Sequence, residues 1–271
     1  MQLFQHKLWG YELSYPPDWT HQTLQGVEAF AATSQALEAG YSGPLSGQIL
    51  VKVEWNCARQ SIEPLWTRHI AMVAGLLTAR QVGSAPWQMA GATGLEAEIV
   101  LPKRENRRLW TGILAYDFIV LQFLVSHLKD ERGWFEPLAT QLISSLRFLS
   151  SVEGVPLDDK GFPLPPGGDP MPPLSVLSDI TDLENWSAYD GQGTVSALQA
   201  FYLREAPIYG WNIMEYVPFP SPSELGFARL QLIKGEQKAI LGILPLGEET
   251  VSPNSPARLV IKYPPSPASS C

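Results

Sequence analysis

Cysteine and histidine are scarce in this sequence of 271 residues. Its two cysteines are Cys57 and the last residue, Cys271, and its four histidines are scattered, with no pair four residues apart. Neither set has the spacing of a disulfide framework or of a zinc site. Such cysteine usage suits a reducing compartment. We therefore expect no disulfide framework, no bound metal and no other cofactor.

The common catalytic and ligand-binding motifs are also missing. Gly43-Pro-Leu-Ser-Gly47 has the wrong spacing for a nucleophile elbow. Gly191-Gln-Gly193 before Thr194 lacks the further glycine or lysine of a phosphate-binding loop, so we interpret it as a helix-capping turn. The acidic stretch Asp179–Glu184 does not have the ligand spacing of a calcium loop. With no catalytic constellation to name, we predict that the protein is not an enzyme.

Excess positive charge is missing too. The net charge is −8, which argues against a general nucleic-acid binder because such proteins present a basic face. Residues 151–271 account for most of this charge, with 7 Lys and Arg against 14 Asp and Glu. The amino terminus has no signal peptide and no lipid-attachment cysteine, which predicts a cytoplasmic protein.

The longest apolar segment, Arg107–His127, is the stretch around which the first half of the chain is organised. A membrane-spanning helix needs roughly 20 uninterrupted apolar residues, but Thr111, Asp117 and Gln122 interrupt this segment. Ile, Val, Phe, Tyr and Trp recur throughout it and favour strands. The segment therefore predicts two long strands that turn near Tyr116–Asp117 and are covered on both faces.

The other elements of the first half are predicted from periodicity and from helix-start signals. Ser61 precedes a helical pattern that has Pro64 in its first turn, as helix starts often do. Trp134, Leu138 and Leu142 form one stripe of a second helix, with Phe135 and Ile143 beside it. The predicted strands are Leu3–Lys7, Gly10–Tyr15, Val27–Ala32, Gln48–Trp55, Trp87–Met89 and Gly94–Leu101, and the predicted helices are Ile62–Arg80 and Arg132–Leu146.

A stretch rich in proline and glycine, residues 151–173, divides the two halves. Seven prolines and four glycines fall within its 23 residues, which excludes a helix and predicts an extended, semi-rigid linker. The predicted fold class is α+β with two domains, residues 1–150 and a smaller helix-on-antiparallel-sheet domain at residues 174–263. Residues 264–271 are predicted to form a mobile tail. The predicted elements of the second domain are strands at Leu174–Leu177, Trp211–Val217, Ala228–Lys234, Gln237–Leu244 and Arg258–Tyr263, and a helix from Thr194 to about Ala206.

Two sequence features of the first half resemble the PsbP-like family. Gly10-Tyr-Glu-Leu-Ser-Tyr-Pro-Pro-Asp-Trp19 is similar to the opening of that family, in which a glycine and an aromatic residue lead to an aromatic-Pro-x-x-Trp sequence. The later order agrees, since a helix follows the middle strand and the last helix closes on Ser144-Ser-Leu-Arg-Phe148. The resemblance covers residues 1–150. It implies an α/β/α sandwich around a central antiparallel sheet and a role in binding or assembling proteins, without catalysis.

The second domain resembles small uncharacterised bacterial domains. These carry an aromatic-Tyr pair followed by Gly-Trp, here Phe201-Tyr202 and Gly210-Trp211. The resemblance implies no known activity. From the pattern alone, Phe201 and Trp211 are core residues of a helix packed on a sheet.

Four positive charges fall within six residues at the predicted turn between two strands: Lys103, Arg104, Arg107 and Arg108. They would form a docking site for another protein of acidic character, through steering and charge-assisted hydrogen bonds. A plainer interpretation is a solvated hairpin tip whose charges protect the sheet edge. A third is contact with the protein's own acidic second half. The sequence does not fix how far Lys129 and Arg132 lie from this turn.

We therefore hypothesise a non-enzymatic, bacterial-type protein-binding or complex-assembly module that contacts its partner through both domains. The alternative is a small-ligand-binding protein, or an enzyme with an unfamiliar site, in which some of the nine tryptophans supply stacking walls between the two domains. A third hypothesis is a scaffold that associates with itself. The sequence names neither the partner nor the oligomeric state.

Overall fold

The computed structural model describes residues 1–38, 47–102, 104–220, 226–247 and 252–265. Contacts within the chain divide it into two compact units. The first comprises Met1–Gln5 and Tyr11–Phe148, and the second comprises His6–Gly10 and Leu149–Cys271. Both units are built from antiparallel sheets with few helices. The predicted α+β class with two domains is confirmed.

A seven-stranded antiparallel sheet forms the centre of the first unit. Its strand order is β3-β4-β5-β9-β8-β7-β6, and a separate three-stranded sheet has the order β1-β2-β10. The first ten strands of the chain are β1 (Gln2–His6), β2 (Tyr11–Tyr15), β3 (Thr20–Leu24), β4 (Val27–Ala31), β5 (Gln48–Trp55), β6 (Arg80–Met89), β7 (Ala92–Val100), β8 (Arg107–Tyr116), β9 (Ile119–Leu128) and β10 (Arg147–Phe148).

Strands β8 and β9 are the two long strands that the apolar segment predicts. They pair from Arg107 opposite Leu128 to Tyr116 opposite Ile119, with the turn at residues 117–118. Every residue of β9 except the last is buried. A strand buried on both faces can be apolar at every position, which is why this part of the sequence lacks a clear alternation.

Helices cover the two faces of this sheet. The helices of the first unit are α1 (Ser34–Glu38), α2 (Ile62–Leu77) and α3 (Arg132–Ser144). Trp66 and Val73 of α2 pack on one face, where Val73 meets Leu124 of β9. The next residue of β9, Val125, faces the opposite way and lies beside α3 with His127. This alternation along the strand gives the α/β/α arrangement that the sequence resemblance implies.

The buried face of helix α3 is shifted from the predicted stripe, of which Leu142 is buried and Trp134 is not. Trp134 is 44% exposed, whereas Phe135 is fully buried. The buried residues of α3 are Phe135, Ala139, Leu142 and Ile143, which lie at the four- and three-residue spacing of one helix face. Phe135 stacks on Trp19 at a ring distance of 5.3 Å. This contact favours the burial of Phe135 over that of Trp134.

The second unit is a six-stranded antiparallel sheet with one long helix. Its strand order is β11-β12-β16-β15-β14-β13. Thr194 caps the helix by accepting a hydrogen bond from the Ala197 amide at 3.2 Å, so the predicted N-cap is confirmed. Residues 191–193, which were predicted to form a turn, belong to the strand that precedes the helix. Phe201 and Trp211 are both fully buried in its core. The elements are β11 (Pro170–Met171), β12 (Trp186–Thr194), α4 (Val195–Ile208), β13 (Asn212–Val217), β14 (Ala228–Lys234), β15 (Gln237–Pro245) and β16 (Pro256–Lys262).

The stretch that was predicted to be a linker, residues 151–173, packs into the second unit. Its apolar side chains belong to that unit's core: Val152, Val155, Phe162 and Leu164. Asp158 stabilises the loop by accepting from the amides of Lys160 at 2.9 Å and Phe162 at 2.8 Å, and from the Tyr263 hydroxyl. Proline and glycine content excluded a helix correctly, but it carried no information on whether the apolar residues between the prolines would be buried.

Residues near the amino terminus also pack with the second unit. The Arg204 guanidinium donates to the carbonyl oxygens of Lys7 at 2.7 Å and Leu8 at 3.2 Å, and to buried Glu205 at 2.7 Å. A β-carbon at Gly10 would lie 2.0 Å from Nη1 of Arg204, and the φ of Gly10 is +72°. Only glycine suits this position, since it tolerates both the close approach and the left-handed backbone.

The structure also differs from the prediction in one wrong strand and two missed strands, and part of the chain lies outside the described residues. Leu174–Leu177 is not a strand, because Pro173–Ser175 forms a 3₁₀ turn. The strands Thr20–Leu24 and Trp186–Thr194 were not predicted, and most of their residues are polar or glycine. Residues 39–46, which include most of Gly43–Gly47, and residues 266–271 of the predicted tail lie outside the described residues.

Candidate functional site

The basic side chains of the turn between β7 and β8 differ in their exposure and in their partners. Arg107 is buried, and it donates to the Ser126 hydroxyl at 2.7 Å. Burial lowers the pKa of its guanidinium, the Arg104 charge acts in the same direction, and Glu131 opposes them. Arg108 is exposed and pairs with Glu98 at 3.1 Å. Lys103 lies outside the described residues, so the structure does not place the fourth charge.

Lys129 and Arg132 lie at the same end of the strand pair as this turn. The Lys129 amide donates to the Asn106 carbonyl at 2.8 Å, and Arg132 forms an ion pair with Glu136 at 3.1 Å. The described arginines of this region are therefore engaged with different groups. Arg107 stabilises the strand pair, and Arg108 is directed to a neighbouring groove.

That groove lies between α3 and the part of the sheet face that α3 leaves uncovered. It has a volume of about 330 Å³, and its walls come from β6, β7, β8, β9 and α3. Its lining combines charged and polar side chains with apolar ones, as expected of a binding cleft. The lining residues on the sheet include Trp87, Met89, Glu96, Glu98, Arg108 and Trp110, and those on the helix include Glu136, Ala139, Thr140 and Ile143.

Two tryptophans form the aromatic wall of the groove. Trp87 and Trp110 meet edge to face, with ring centroids 5.3 Å apart and an angle of 85°. Trp87 is buried on Phe123, whereas Trp110 is only half-buried. Gly112 makes room for them, because a β-carbon there would lie 2.8 Å from Trp87 and 3.0 Å from Trp110. The sheet backbone thus comes directly under the indole rings.

Three carboxylates line the groove, and they differ in their partners. Glu98 pairs with Arg108, and Glu136 pairs with Arg132 and faces His127. Glu96 is half-buried, and its Oε2 accepts from the Trp110 indole N–H at 3.0 Å. Among the residues that the structure describes, no cation pairs with Glu96.

Buried His127 has both ring nitrogens occupied. Nδ1 lies 2.7 Å from the Leu128 carbonyl oxygen, which can only accept, so Nδ1 carries a proton. Nε2 lies 3.3 Å from Oε1 of Glu136. A carboxylate also only accepts, so this contact is favourable when Nε2 is protonated as well. The ring is thus held between the Leu128 carbonyl and the Glu136 carboxylate.

The opposite face of the sheet holds a smaller, mainly apolar cavity beneath α2, which includes His69 and Gln122 in its lining. The Nε2 of buried His69 lies 2.7 Å from Oγ1 of Thr111, which itself donates to the Phe123 carbonyl at 2.7 Å. Burial lowers the pKa of His69 to about 4; the nearby Gln122 side chain, which can accept from a protonated ring, opposes this, and the Lys52 charge adds to it. The cavity has a volume of only about 60 Å³, so we take the larger groove as the candidate site.

Sequence reasoning did not single out the groove residues, although part of the signal was present. Glu96 and Glu98 alternate with buried Ala97 and Ile99 along β7, and this period of two places both carboxylates on one face of the sheet. Trp110 lies on the same face of the neighbouring strand, opposite Glu98. What the sequence could not give is the position of α3, which turns an acidic strand face into a groove.

Metal binding by clustered side chains and membrane crossing by a helix can both be assessed on the described residues. Within them, no group of three or more His, Cys, Asp or Glu side chains has the arrangement of a metal site. No helix in the same part of the chain has the length and apolar character needed to cross a membrane.

Comparisons with known proteins give similarity of fold at most. No protein-family model matches the chain, and no curated protein matches it. Among solved structures, cyanobacterial PsbP (CyanoP) from Synechocystis sp. PCC 6803 is similar, with 14% identity, a TM-score of 0.43, and coverage of 54% of this chain and 91% of that one. LpqN of Mycobacterium tuberculosis, described as involved in cell envelope biogenesis, has 13% identity, a TM-score of 0.37, and coverage of 51% and 83%.

A third similar structure is PA94 from Pseudomonas aeruginosa, a protein of unknown function described as a putative regulator. It has 12% identity, a TM-score of 0.35, and coverage of 49% of this chain and 88% of that one. The PsbP-like resemblance of residues 1–150 thus has a counterpart among solved structures. At these identities and scores, neither family membership nor function follows from it.

Proposed function

We propose that this protein is a non-enzymatic binding or complex-assembly module that engages another protein through the groove beside α3. The groove itself carries the proposal, because Trp87 and Trp110 line it together with charged side chains, and its volume is about 330 Å³. Tryptophan and arginine are enriched where proteins contact each other most strongly. An apolar centre with a polar rim is also the usual layout of a protein interface.

The surroundings of His127 support binding more than catalysis. A general base needs a ring nitrogen within reach of a proton that it abstracts. Nδ1 and Nε2 of His127 face the Leu128 carbonyl and Glu136, so neither is directed at a hydroxyl group. The Ser144 hydroxyl at the groove donates instead to the Gln141 carbonyl at 3.1 Å. The polar groups of the groove thus hold one another in place.

Two neighbouring positions of α3 provide a matched test. Thr140 and Gln141 are both exposed, and Thr140 lines the groove whereas Gln141 lies outside its lining. We expect Thr140→Trp to fill the groove and to abolish capture of a partner from a lysate of the source organism. Gln141→Trp adds the same ring beside it and should capture the partner as the wild type does.

The proposal fails if the wild type and both variants capture the same proteins in equal amounts, because binding would then not depend on the groove. Circular dichroism of each variant separates loss of binding from loss of folding. Equal unfolding midpoints with unequal capture are the expected combination.

A small-ligand-binding protein is the second candidate function. The volume of the groove, about 330 Å³, falls at the lower end of the range for small-molecule sites. This candidate places the ligand in the first unit. Native mass spectrometry of protein purified from the source organism would distinguish it, since a small ligand adds a defined mass that Thr140→Trp removes and Gln141→Trp retains.

A further inference from the structure

We infer that the groove recognises an arginine side chain that a peptide segment of the partner presents, with its guanidinium on Trp110 and against Glu96. This inference rests on the proposed function and specifies the chemistry of the same site. The basic turn led us to expect an acidic partner, whereas this inference requires a basic one. The reason is that Arg107 is buried and Arg108 is already paired with Glu98.

The first argument is the charge balance of the groove. Its lining contains the carboxylates of Glu96, Glu98 and Glu136 against the single guanidinium of Arg108. Arg108 neutralises Glu98, while Arg132 and His127 face Glu136. Glu96 is left as a half-buried carboxylate with no cation among the described residues. Partial burial weakens its screening by solvent, so a guest that brings a positive charge is favoured there.

The second argument is the position of the indole rings. Trp110 donates its N–H to Glu96, which fixes the carboxylate beside the edge of the ring. A cation on this tryptophan therefore meets the π-system and a negative charge together. Such cation–π contacts contribute about 0.5–2 kcal/mol, and tryptophan is the strongest aromatic partner. Within the described part of the chain, no group donates to the other oxygen of Glu96, Oε1, which can therefore accept from the guest.

The shape of the site favours arginine over lysine. A guanidinium is planar, stacks on aromatic rings and donates through a rigid fork, whereas an ammonium is a compact and strongly hydrated charge. An indole with a carboxylate at its edge matches the planar group better.

The test uses the full chain labelled with ¹⁵N and three short peptides. Each peptide has glycines around one central residue, which is arginine, lysine or citrulline, and citrulline keeps the shape of arginine without its charge. Indole N–H signals report on the groove, and the Trp110 signal is assigned by its loss in Trp110→Phe. We expect the arginine peptide to shift the Trp110 signal and to bind about tenfold or more tightly than the citrulline peptide.

Two charge-removing variants separate the groove from the general field of the protein. Glu96→Gln keeps an oxygen that can accept from Trp110, and we expect it to weaken arginine-peptide binding about tenfold. Glu63→Gln removes the same charge from an exposed site in the first turn of α2, and binding should not change. Backbone amide signals away from the groove show that both variants remain folded.

Three results would overturn the inference: equal binding of the citrulline peptide, equal weakening by Glu63→Gln and Glu96→Gln, or equally tight binding of free methylguanidinium. The last result would assign the site to a small cation instead of a peptide. The proposed function is tested separately. A partner that Thr140→Trp loses, without any binding of the arginine peptide, would retire this inference and leave the protein-binding proposal standing.

Discussion

His69 is a buried base that the folded protein holds without charge. The Thr111 hydroxyl donates to a main-chain carbonyl and so accepts from Nε2–H of the ring. Gln122 donates its amide N–H to Glu54 at 2.6 Å, which leaves its oxygen toward the cavity. Nδ1 of His69 and this oxygen both lack a hydrogen-bond partner among the described residues. Only a protonated Nδ1 could donate to Gln122.

The lowered pKa of His69 predicts a loss of stability in acid. Its pKa falls from 6.5 to about 4 on folding, so between these values the unfolded chain binds a proton that the folded chain does not. The stability contribution is present above pH 6.5, is lost as the pH falls toward 4, and changes no further below that. The full difference is roughly 3 kcal/mol.

We predict that His69→Gln flattens this part of the pH profile. Urea denaturation of the full chain between pH 7.5 and pH 4 measures it, and the slope is compared within each protein so that any change at pH 7.5 cancels. Hydrogen exchange of β9 amides reports the same loss locally. Parallel profiles for the wild type and the variant would contradict the assignment of this acid sensitivity to His69.

At the scale of elements, Gly112 of β8 holds the aromatic wall of the groove in place. A β-carbon at Gly112 would approach two atoms of Trp87 to 2.8 and 2.9 Å, closer than packed atoms allow. We predict that Gly112→Ala costs about 1–3 kcal/mol and weakens ligand binding at the groove. Gly133→Ala in α3 meets nothing within 4 Å, so it should leave both properties nearly unchanged.

A double-mutant cycle assigns this cost to the indole ring. Trp87→Leu removes the atoms that the new methyl group would meet, so Gly112→Ala should cost clearly less in that background. Denaturation of the four proteins measures the coupling. Strict additivity of the two substitutions would mean that the glycine is needed for a reason other than the packing of Trp87.

The elements that could be predicted from sequence are those with a strong pattern of their own. Strands β5 and β14 have the predicted bounds, because both their apolar residues and the positions of their ends can be recognised in the sequence. Strand β3, Thr20–Leu24, has polar residues and lies at the sheet edge, so only its pairing with β4 defines it. Trp134 shows the same limit, since helical spacing alone could not decide that Phe135 would be the buried ring.

At the scale of the whole molecule, the second unit depends on residues far apart in the chain. Glu205 is fully buried and accepts from Arg204 and from the Val152 amide at 3.1 Å. Arg204 in turn binds the carbonyls of residues 7 and 8. Neither the proline content of residues 151–173 nor the start of the chain predicts this packing, because Glu205 lies 53 positions from Val152 and Arg204 lies 197 positions from Lys7 in the sequence.

The candidate site was hidden from sequence for a similar reason. The basic turn is a local cluster that can be found by counting charges. The groove instead combines single residues of four strands and one helix, such as Trp87, Trp110 and Glu136. Period-two alternation could place Glu96 and Glu98 on one face, but only the tertiary fold brings the helix beside them.

The central claim is that this groove is the surface that a partner protein occupies, and photo-crosslinking within cells of the source organism tests it most directly. Met89 lines the groove from β6, and Gln88 is exposed and points to the opposite face, since successive strand residues alternate. With benzoylphenylalanine in place of Met89, we predict a crosslinked adduct with one protein, and none with the probe in place of Gln88. Adducts with the same protein from both positions, or only from position 88, would contradict the claim.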